Sequence, residues 1–525
     1  MFYMLEEEES IGRRSVRTLS SLLVGKFGGV LVSALTFIII ARLLGPNDYG
    51  IYTLAVGIYA FIGAAGHFGI GTYFNKFIAE YIYKRNSRGV VDVVSYGYSI
   101  IIPIAFALSI TGILCSGYIS SYFKSITIPV ITVIIASSIV FFSMIYGVSY
   151  PALVSFGKGK WAIYALLATQ LTNLIFSTLF ILGGLGFNGA LLGMLISYVI
   201  GATFSLYFVF KAAAKFGKLR LPKYDAGKIK KVLMFSLPMA ANNLLNNGVS
   251  SFAVILLGVY GTSFVLGNYG TATRGMNLMQ TMYGTVSVVL LPTFAAMIAK
   301  RKKGADLSKA LNKVLMYSLI ITFPVLVYIG VFAKPLIFIL VTSKYSAAPL
   351  YLLLMASGLI IGMPALYLSS FLVGNGYVYK VLKYGLISVL LQLISLFVLV
   401  PRMLALGNII ALFLIGGIVS DFLFAYSIFR IFRIKVELGR LARIFLANAL
   451  LAVFLASLLI VRSSIAEVAI GIAVAALIYP VLLVLLGIAD EPFISDILKF
   501  SAGIRGLDAI VEYITLYMKH FIRSK

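Results

Sequence analysis

The chain of 525 residues is 61% hydrophobic and only 11% charged, with a mean hydropathy of +1.04. Soluble domains carry about 25% charged residues, so a soluble globular fold is excluded and an integral membrane protein is indicated. The single cysteine, Cys115, excludes an intrachain disulfide and a CxxC metal site.

The apolar runs have the length of membrane-spanning helices rather than of barrel strands, so the predicted fold is all-α. About fourteen transmembrane helices are predicted. In chain order they cover 18–41, 48–70, 92–117, 127–149, 161–183, 189–210, 232–258, 266–291, 311–333, 347–371, 381–401, 407–429, 444–461 and 467–487.

The basic residues lie mainly on one side of these spans. Of the 43 lysines and arginines, 35 fall in the terminal segments and alternate loops, 6 in the other loops and 2 within spans. This asymmetry predicts a multi-pass protein of the plasma or inner membrane with both termini cytoplasmic. It also accounts for the net charge of +26 without nucleic acid as a partner.

The first helical hairpin recurs weakly 216 to 220 residues later. Ser20 and Ser236 are 216 residues apart, and Tyr49 and Tyr269 are 220 apart. The repeat predicts two six-helix lobes with parallel topology, related by a pseudo-two-fold axis along the membrane normal, with two extra C-terminal helices. The predicted divisions are a cytoplasmic segment 1–17, an N-lobe 18–210, a basic cytoplasmic linker 211–231, a C-lobe 232–430, helices 13 and 14 in 431–487, and an amphipathic tail 488–525.

The turn between the first two spans carries a recognisable motif. Residues 41–50 read ARLLGPNDYG, in which Gly45-Pro46 can end one helix and Asp48 can cap the next. The motif resembles that of the polysaccharide-biosynthesis (Wzx-like) flippases of the multidrug/oligosaccharidyl-lipid/polysaccharide superfamily. The resemblance implies a transporter, not an enzyme, that moves a lipid-linked oligosaccharide to the outer leaflet by alternating access. Its expected partners are the lipid-linked glycan, membrane lipids and glycan-assembly enzymes, and the expected state is a monomer.

Two basic residues lie inside predicted spans, where an ionisable group is costly and usually faces a cavity or a partner. They are Lys26 in the first span and Arg274 in the eighth. The resemblance implies a role in substrate binding, because related lipid II flippases line their cavity with basic residues on the corresponding helices. The alternative is that both side chains extend to the headgroups.

Amide side chains form a second candidate surface. Asn242, Asn243, Asn246 and Asn247 follow a spacing that places them on one face of the seventh span. Amides donate and accept hydrogen bonds without charge, which suits sugar hydroxyls; the alternative is hydrogen bonding between helices. Asn277 and Gln280 on the eighth span are weaker candidates for the same cavity.

Asp421 and His67 are the candidates for coupling transport to H⁺ or Na⁺. The alternatives are an ion pair or an interfacial position for Asp421 and helix packing for His67. No other cofactor or metal is predicted, and the sequence shows no carboxylate pair, nucleophile triad or phosphate loop.

Three other functions compete with lipid-linked oligosaccharide flipping. An ion-coupled drug or small-molecule exporter of the same fold would need buried carboxylates, which are outnumbered here by basic and amide residues. A membrane glycosyltransferase or ligase would need a catalytic acid or a large outer loop. A scaffolding protein would not need Lys26, Arg274 and the asparagine face.

Overall fold

A computed structural model describes residues 2–66, 69–218, 225–277, 305–434, 437–458 and 465–489. All regular secondary structure in these residues is helical, which confirms the predicted all-α class. The helices are α1 (Phe2–Gly66), α2 (Ile70–Tyr83), α3 (Ser87–Leu114), α4 (Ser116–Tyr122), α5 (Val130–Ser155), α6 (Gly159–Phe180), α7 (Gly186–Ala213), α8 (Ala226–Asn243), α9 (Val249–Tyr260), α10 (263–277), α11 (Ala305–Val331), α12 (Ala333–Leu340), α13 (Ala348–Gly374), α14 (Val378–Met403), α15 (Ala405–Ile409), α16 (Gly416–Phe432), α17 (Leu438–Leu458) and α18 (Ile465–Leu485).

Ten helical stretches in the described residues are long and apolar enough to cross a membrane, as a multi-pass membrane protein requires. Two of these stretches each contain two predicted spans. Gly159–Ala213 has 55 residues, which as one straight helix would reach about 80 Å, far beyond a hydrocarbon core of about 30 Å. It folds back instead at Gly184, whose φ of 87° suits glycine.

The ARLLGPNDYG motif forms the corresponding turn within α1. Gly45 adopts φ 71° and ψ 173° there, which breaks the helix into a first arm before it and a second arm after it. A left-handed φ is readily available to glycine, and Pro46 follows at the start of the second arm. The turn therefore lies where the sequence predicts it.

The segment 71–91, predicted as an inner loop, is largely helical. Helix α2 runs from Ile70 to Tyr83, and α3 begins at Ser87. The prediction of a loop between the second and third spans was wrong. It rested on the lysines of this segment and overlooked an amphipathic helical pattern. Ile70, Phe74 and Ile78 recur every four residues and are buried on one face.

The predicted seventh span is interrupted. Helix α8 ends at Asn243, a π-helical turn covers Leu244–Gly248, and α9 continues from Val249. A π turn inserts an extra residue into the helical repeat, and such turns are frequent at functional sites. The wider turn changes the angular spacing on which the predicted asparagine face depended.

The chain divides into two compact units. One consists of Met1–Thr271 with Leu396–Asn408, and the other of Ala272–Ser395 with Ile409–Lys525. The first unit has a continuous core between α2, α3, α5, α6, α7 and α8. Its members include Phe74, Ile78, Val94, Val148 and Val209.

In the second unit, α13 packs against α11 and α16, and α17 and α18 pack on α11. Phe323, Met355 and Leu451 are fully buried there. The Tyr328 hydroxyl donates a 2.6 Å hydrogen bond to the carbonyl oxygen of Val468, which ties α11 to α18.

Within the first unit, the second arm of α1 and helix α10 meet through two glycines. A Cβ atom on Gly50 would overlap the carbonyl oxygen of Ser263, and a Cβ atom on Gly267 would overlap the carbonyl oxygen of Pro46. The contact is reciprocal, because Gly267 and Ser263 follow Gly50 and Pro46 by the same interval of 217 residues. This interval is three residues shorter than the offset of 220 that the sequence assigns to Tyr49, next to Gly50.

We expect Gly50→Ala and Gly267→Ala each to destabilise this conformation by about 1–3 kcal/mol, because an added methyl group must push backbone atoms apart. Thermal unfolding of the detergent-solubilised variants measures the effect. Gly63→Ala is the matched control in the same helix, since a Cβ there meets nothing within 4 Å. Equal unfolding temperatures for all three variants would contradict the close contact.

Candidate functional site

The asparagine cluster lies at the π turn between α8 and α9. Asn242 and Asn243 end α8, and Asn246 and Asn247 lie within the turn Leu244–Gly248. The turn packs against the second arm of α1, where Ala64 lies 3.9 Å from the position of a Cβ on Gly248. The cluster is therefore placed on an irregular helical turn inside the first unit.

The four asparagines do not have one environment. Asn247 is exposed and Asn243 is half-buried, whereas the side chains of Asn242 and Asn246 lie outside the described part of the structure. The Asn247 backbone carbonyl accepts a 3.1 Å hydrogen bond from the Ser251 hydroxyl one turn later. An exposed amide at this turn is available to a hydrogen-bonding ligand.

The predicted basic residues lie on the helices to which the sequence assigned them. Lys26 falls within the first arm of α1, and its side chain is outside the described part. Arg274 is half-buried on α10 and takes part in interactions with other residues. Asn277, also on α10, is exposed and likewise has an interaction partner. Gln280 and His67 lie outside the described residues.

Asp421 lies in the second unit, where α13 and α16 approach closely. A Cβ on Gly362 would lie 2.8 Å from the Gly417 Cα atom, so the two glycines let the helix backbones touch. One turn further along, the Asp421 carboxylate comes within hydrogen-bonding range of the Ala365 backbone. Its Oδ1 atom is buried and has no hydrogen-bond partner among the residues that the structure describes.

A hydroxyl and amide network lies beside Asp421 between α14 and α16. The Ser388 and Ser420 hydroxyls are 2.9 Å apart, and the Gln392 amide donates a 3.1 Å hydrogen bond to Ser388. Sequence reasoning missed the two serines, because serine is common in membrane helices and no local spacing links residues 32 positions apart. No group of three or more His, Cys, Asp or Glu residues that could hold a metal occurs within the described ranges.

Comparison with known protein families shows the family to which the chain belongs. A family described as "Polysaccharide biosynthesis protein" matches residues 39–349, which is more than half of the chain and includes the turn at Gly45. The chain belongs to this polysaccharide biosynthesis family. No curated protein sequence matches it significantly.

Solved structures show the same fold in transporters of the MOP superfamily. The lipid II flippase MurJ in an inward closed conformation has a TM-score of 0.72 at 16% identity, covering 88% of this chain and 97% of its own. An inward-facing multidrug resistance MATE family transporter has a TM-score of 0.62 at 20% identity, covering 78% of this chain and 96% of its own. This family member therefore has a MOP-type fold.

Cysteine labelling tests whether the asparagine turn lines a water-filled space. In a Cys115→Ser background, which lacks other thiols, we expect Asn243→Cys and Asn247→Cys to react with a charged methanethiosulfonate reagent, because it does not enter hydrocarbon. Val453→Cys, at a 67% exposed apolar position on α17, is the lipid-facing control. Labelling of the asparagine positions as slow as that of Val453→Cys would place the turn in lipid.

Proposed function

We propose that the protein flips an oligosaccharide linked to a polyprenyl phosphate or diphosphate from the inner to the outer leaflet by alternating access. The observation that carries this proposal is the family match over residues 39–349, which associates the chain with polysaccharide biosynthesis. The MOP-type fold supports it by supplying a scaffold that is shared with the lipid II flippase.

The proposal requires a way to move a phosphate charge through a low-dielectric region. An unpaired ion buried in such a medium costs on the order of tens of kcal/mol in the Born limit. A basic, amide-lined chamber would offset this cost, with Lys26 and Arg274 supplying positive charge and Asn243 and Asn247 supplying hydrogen bonds to sugar hydroxyls. The half-buried position of Arg274 and the exposure of Asn247 support these assignments.

The proposed architecture is that of two lobes, 18–210 and 232–430, built from parallel repeats, with both termini cytoplasmic and helices 13 and 14 added. The reciprocal contact of Gly50 and Gly267 supports a two-fold relation between these helices, because each glycine meets the backbone four residues before the other. We propose that the protein works as a monomer and receives its substrate from glycan-assembly enzymes.

Substitution of the basic residues tests the chamber. We expect Arg274→Ala and Lys26→Ala each to slow flipping roughly tenfold or more, because each variant loses one charge-assisted contact with the phosphate. Arg274→Lys should retain much of the rate if only charge matters, and little if the planar guanidinium grips the phosphate. Accumulation of inward-facing lipid-linked oligosaccharide in cells that depend on each variant measures the rate.

Lys124→Ala is the charge-matched control for these variants. Lys124 is exposed in the segment between α4 and α5, so its loss should leave the rate near that of the parent protein. The chamber hypothesis would be wrong if both alanine variants cleared the precursor as fast as Lys124→Ala.

The second candidate function is an ion-coupled exporter of small molecules. The buried Oδ1 atom of Asp421 favours it, since such a carboxylate can take up a proton or a cation. The MATE transporter shows that this fold also serves multidrug resistance proteins. Asp421 could equally couple an ion to glycan flipping.

Neutralising Asp421 tests coupling in either function. We expect Asp421→Asn to abolish acceleration of transport by an imposed H⁺ or Na⁺ gradient in proteoliposomes while substrate binding persists, because the amide cannot exchange a proton or neutralise a cation. Glu437→Gln is the control, since Glu437 lies between α16 and α17 and pairs with Arg440 at 3.2 Å. Gradient-driven transport by Asp421→Asn at the control rate would remove Asp421 from the mechanism.

A further inference from the structure

Helices α2, α3 and α8 form a basic and aromatic surface in the first unit, at the end of the bundle that carries the basic loops. The start of α2 closes tightly on α8, because a Cβ on Gly69 would overlap the Met239 side chain and lie 2.8 Å from the Ser236 carbonyl oxygen. This contact holds the two helices side by side. The positive-inside pattern assigns this end to the inner leaflet.

Two lysines of this surface are neutralised by carboxylates. Lys84 lies 2.6 Å from Glu80, and Lys228 lies 2.7 Å from Asp92. Hydrogen bonding to Asp92 raises the pKa of Lys228, as expected for a paired ammonium group. The hydrogen bond from Lys84, and then the nearby charges of Lys84, Lys76 and Lys231, lower the pKa of Glu80, so this carboxylate also attracts the two remaining lysines.

Two further lysines, Lys76 and Lys231, lie against aromatic rings instead, and Lys230 on α8 is also exposed. The Lys76 Nζ atom lies 5.1 Å from the centre of the Phe77 ring and 4.9 Å from that of Phe235. The Lys231 Nζ atom lies 5.5 Å from the centre of the same Phe77 ring and 3.1 Å from the Tyr81 hydroxyl. Among the described residues, neither lysine forms an ion pair with a carboxylate.

This arrangement orients two positive charges, which Glu80 attracts only from beyond ion-pair distance. A ring face attracts an ammonium group but takes up none of its charge, and each ammonium group has three N–H donors. Phe77 packs edge-on against Phe235 at 5.2 Å, so the ring that the two lysines share is itself fixed. Lys76 comes from α2 and Lys231 from α8, and both remain exposed to an anion from outside the bundle.

We propose that Lys76 and Lys231 form a docking site for the diphosphate of a polyprenyl-linked substrate at the inner-leaflet surface, before the substrate enters the chamber. Two ammonium groups, neither of them in an ion pair among the described residues, match a diphosphate better than the single charge of a phosphodiester headgroup. The site is separate from Lys26 and Arg274, and the inference rests on the proposed function for its choice of substrate.

The test uses the full chain in nanodiscs of uncharged phosphatidylcholine, with farnesyl diphosphate as the probe. We expect the double variant Lys76→Gln/Lys231→Gln to bind the probe about tenfold or more weakly, because it loses both charge-assisted contacts. Phe77→Leu, which keeps every charge, should also weaken binding severalfold by releasing the two ammonium groups. Binding is measured in a Lys26→Ala/Arg274→Ala background, so that the proposed chamber does not mask the effect.

The charge-matched control is Arg85→Gln/Arg88→Gln, which removes two exposed positive charges from the adjoining end of α2 and start of α3. We expect it to change binding less than twofold. Equal weakening by both double variants would show a general electrostatic effect and overturn the site. Equal binding of farnesyl monophosphate, or full competition by added phosphatidylglycerol, would also overturn it, by showing that any anionic lipid is accepted.

The outcome is separable from that of the proposed function. If the protein flips lipid-linked glycans and Lys76→Gln/Lys231→Gln still binds the probe like the parent, the docking site alone is wrong. If flipping is absent but the lysine-dependent binding stands, the proposed function fails and the diphosphate site remains. Unfolding temperatures of the variants verify that each is folded before binding is compared.

Discussion

The hydrocarbon core of a membrane offers no hydrogen-bond partner to the peptide backbone, and the rest of this structure depends on that constraint. Every spanning segment must satisfy its N–H and C=O groups internally, so the described chain is helical throughout its regular structure. Association of such helices gains little from burying apolar surface, since lipid is equally apolar. Close packing between helices must therefore stabilise their association. Glycines allow such packing where Gly50 meets α10 and where Gly362 meets Gly417.

The same constraint sorts the polar residues by location. Where backbone geometry becomes irregular inside a predicted span, as at the π turn Leu244–Gly248, the turn coincides with asparagines that can hydrogen-bond. Ionisable side chains within the spans are few, and Arg274 and Asp421 are both partly buried. On the surface of α2, α3 and α8, Lys84 and Lys228 pair with carboxylates, whereas Lys76 and Lys231 lie against aromatic rings. The molecule thus concentrates positive charge along the route proposed for an anionic lipid.

Two polar environments separate the proposed tasks. The turn at Asn247 lies in the first unit and offers an exposed, uncharged amide, to which the proposed function assigns contacts with sugar hydroxyls. Asp421 lies in the second unit beside the Ser388 and Ser420 hydroxyls, in a setting suited to a small cation or a proton.

The amino-acid sequence by itself determined the helical class, the turn at Gly45 and the family, because these depend on local patterns: long apolar runs, the glycine and proline of residues 41–50, and the spacing of basic loops. It did not reveal α2, whose lysines concealed a buried face, or the π turn, which has no distinctive local pattern. Only the tertiary structure brought Gly50 to Ser263, Ser388 to Ser420, and Lys76 to the ring shared with Lys231. These contacts join residues that are distant in the chain, and packing between helices, rather than any local propensity, decides which of them meet.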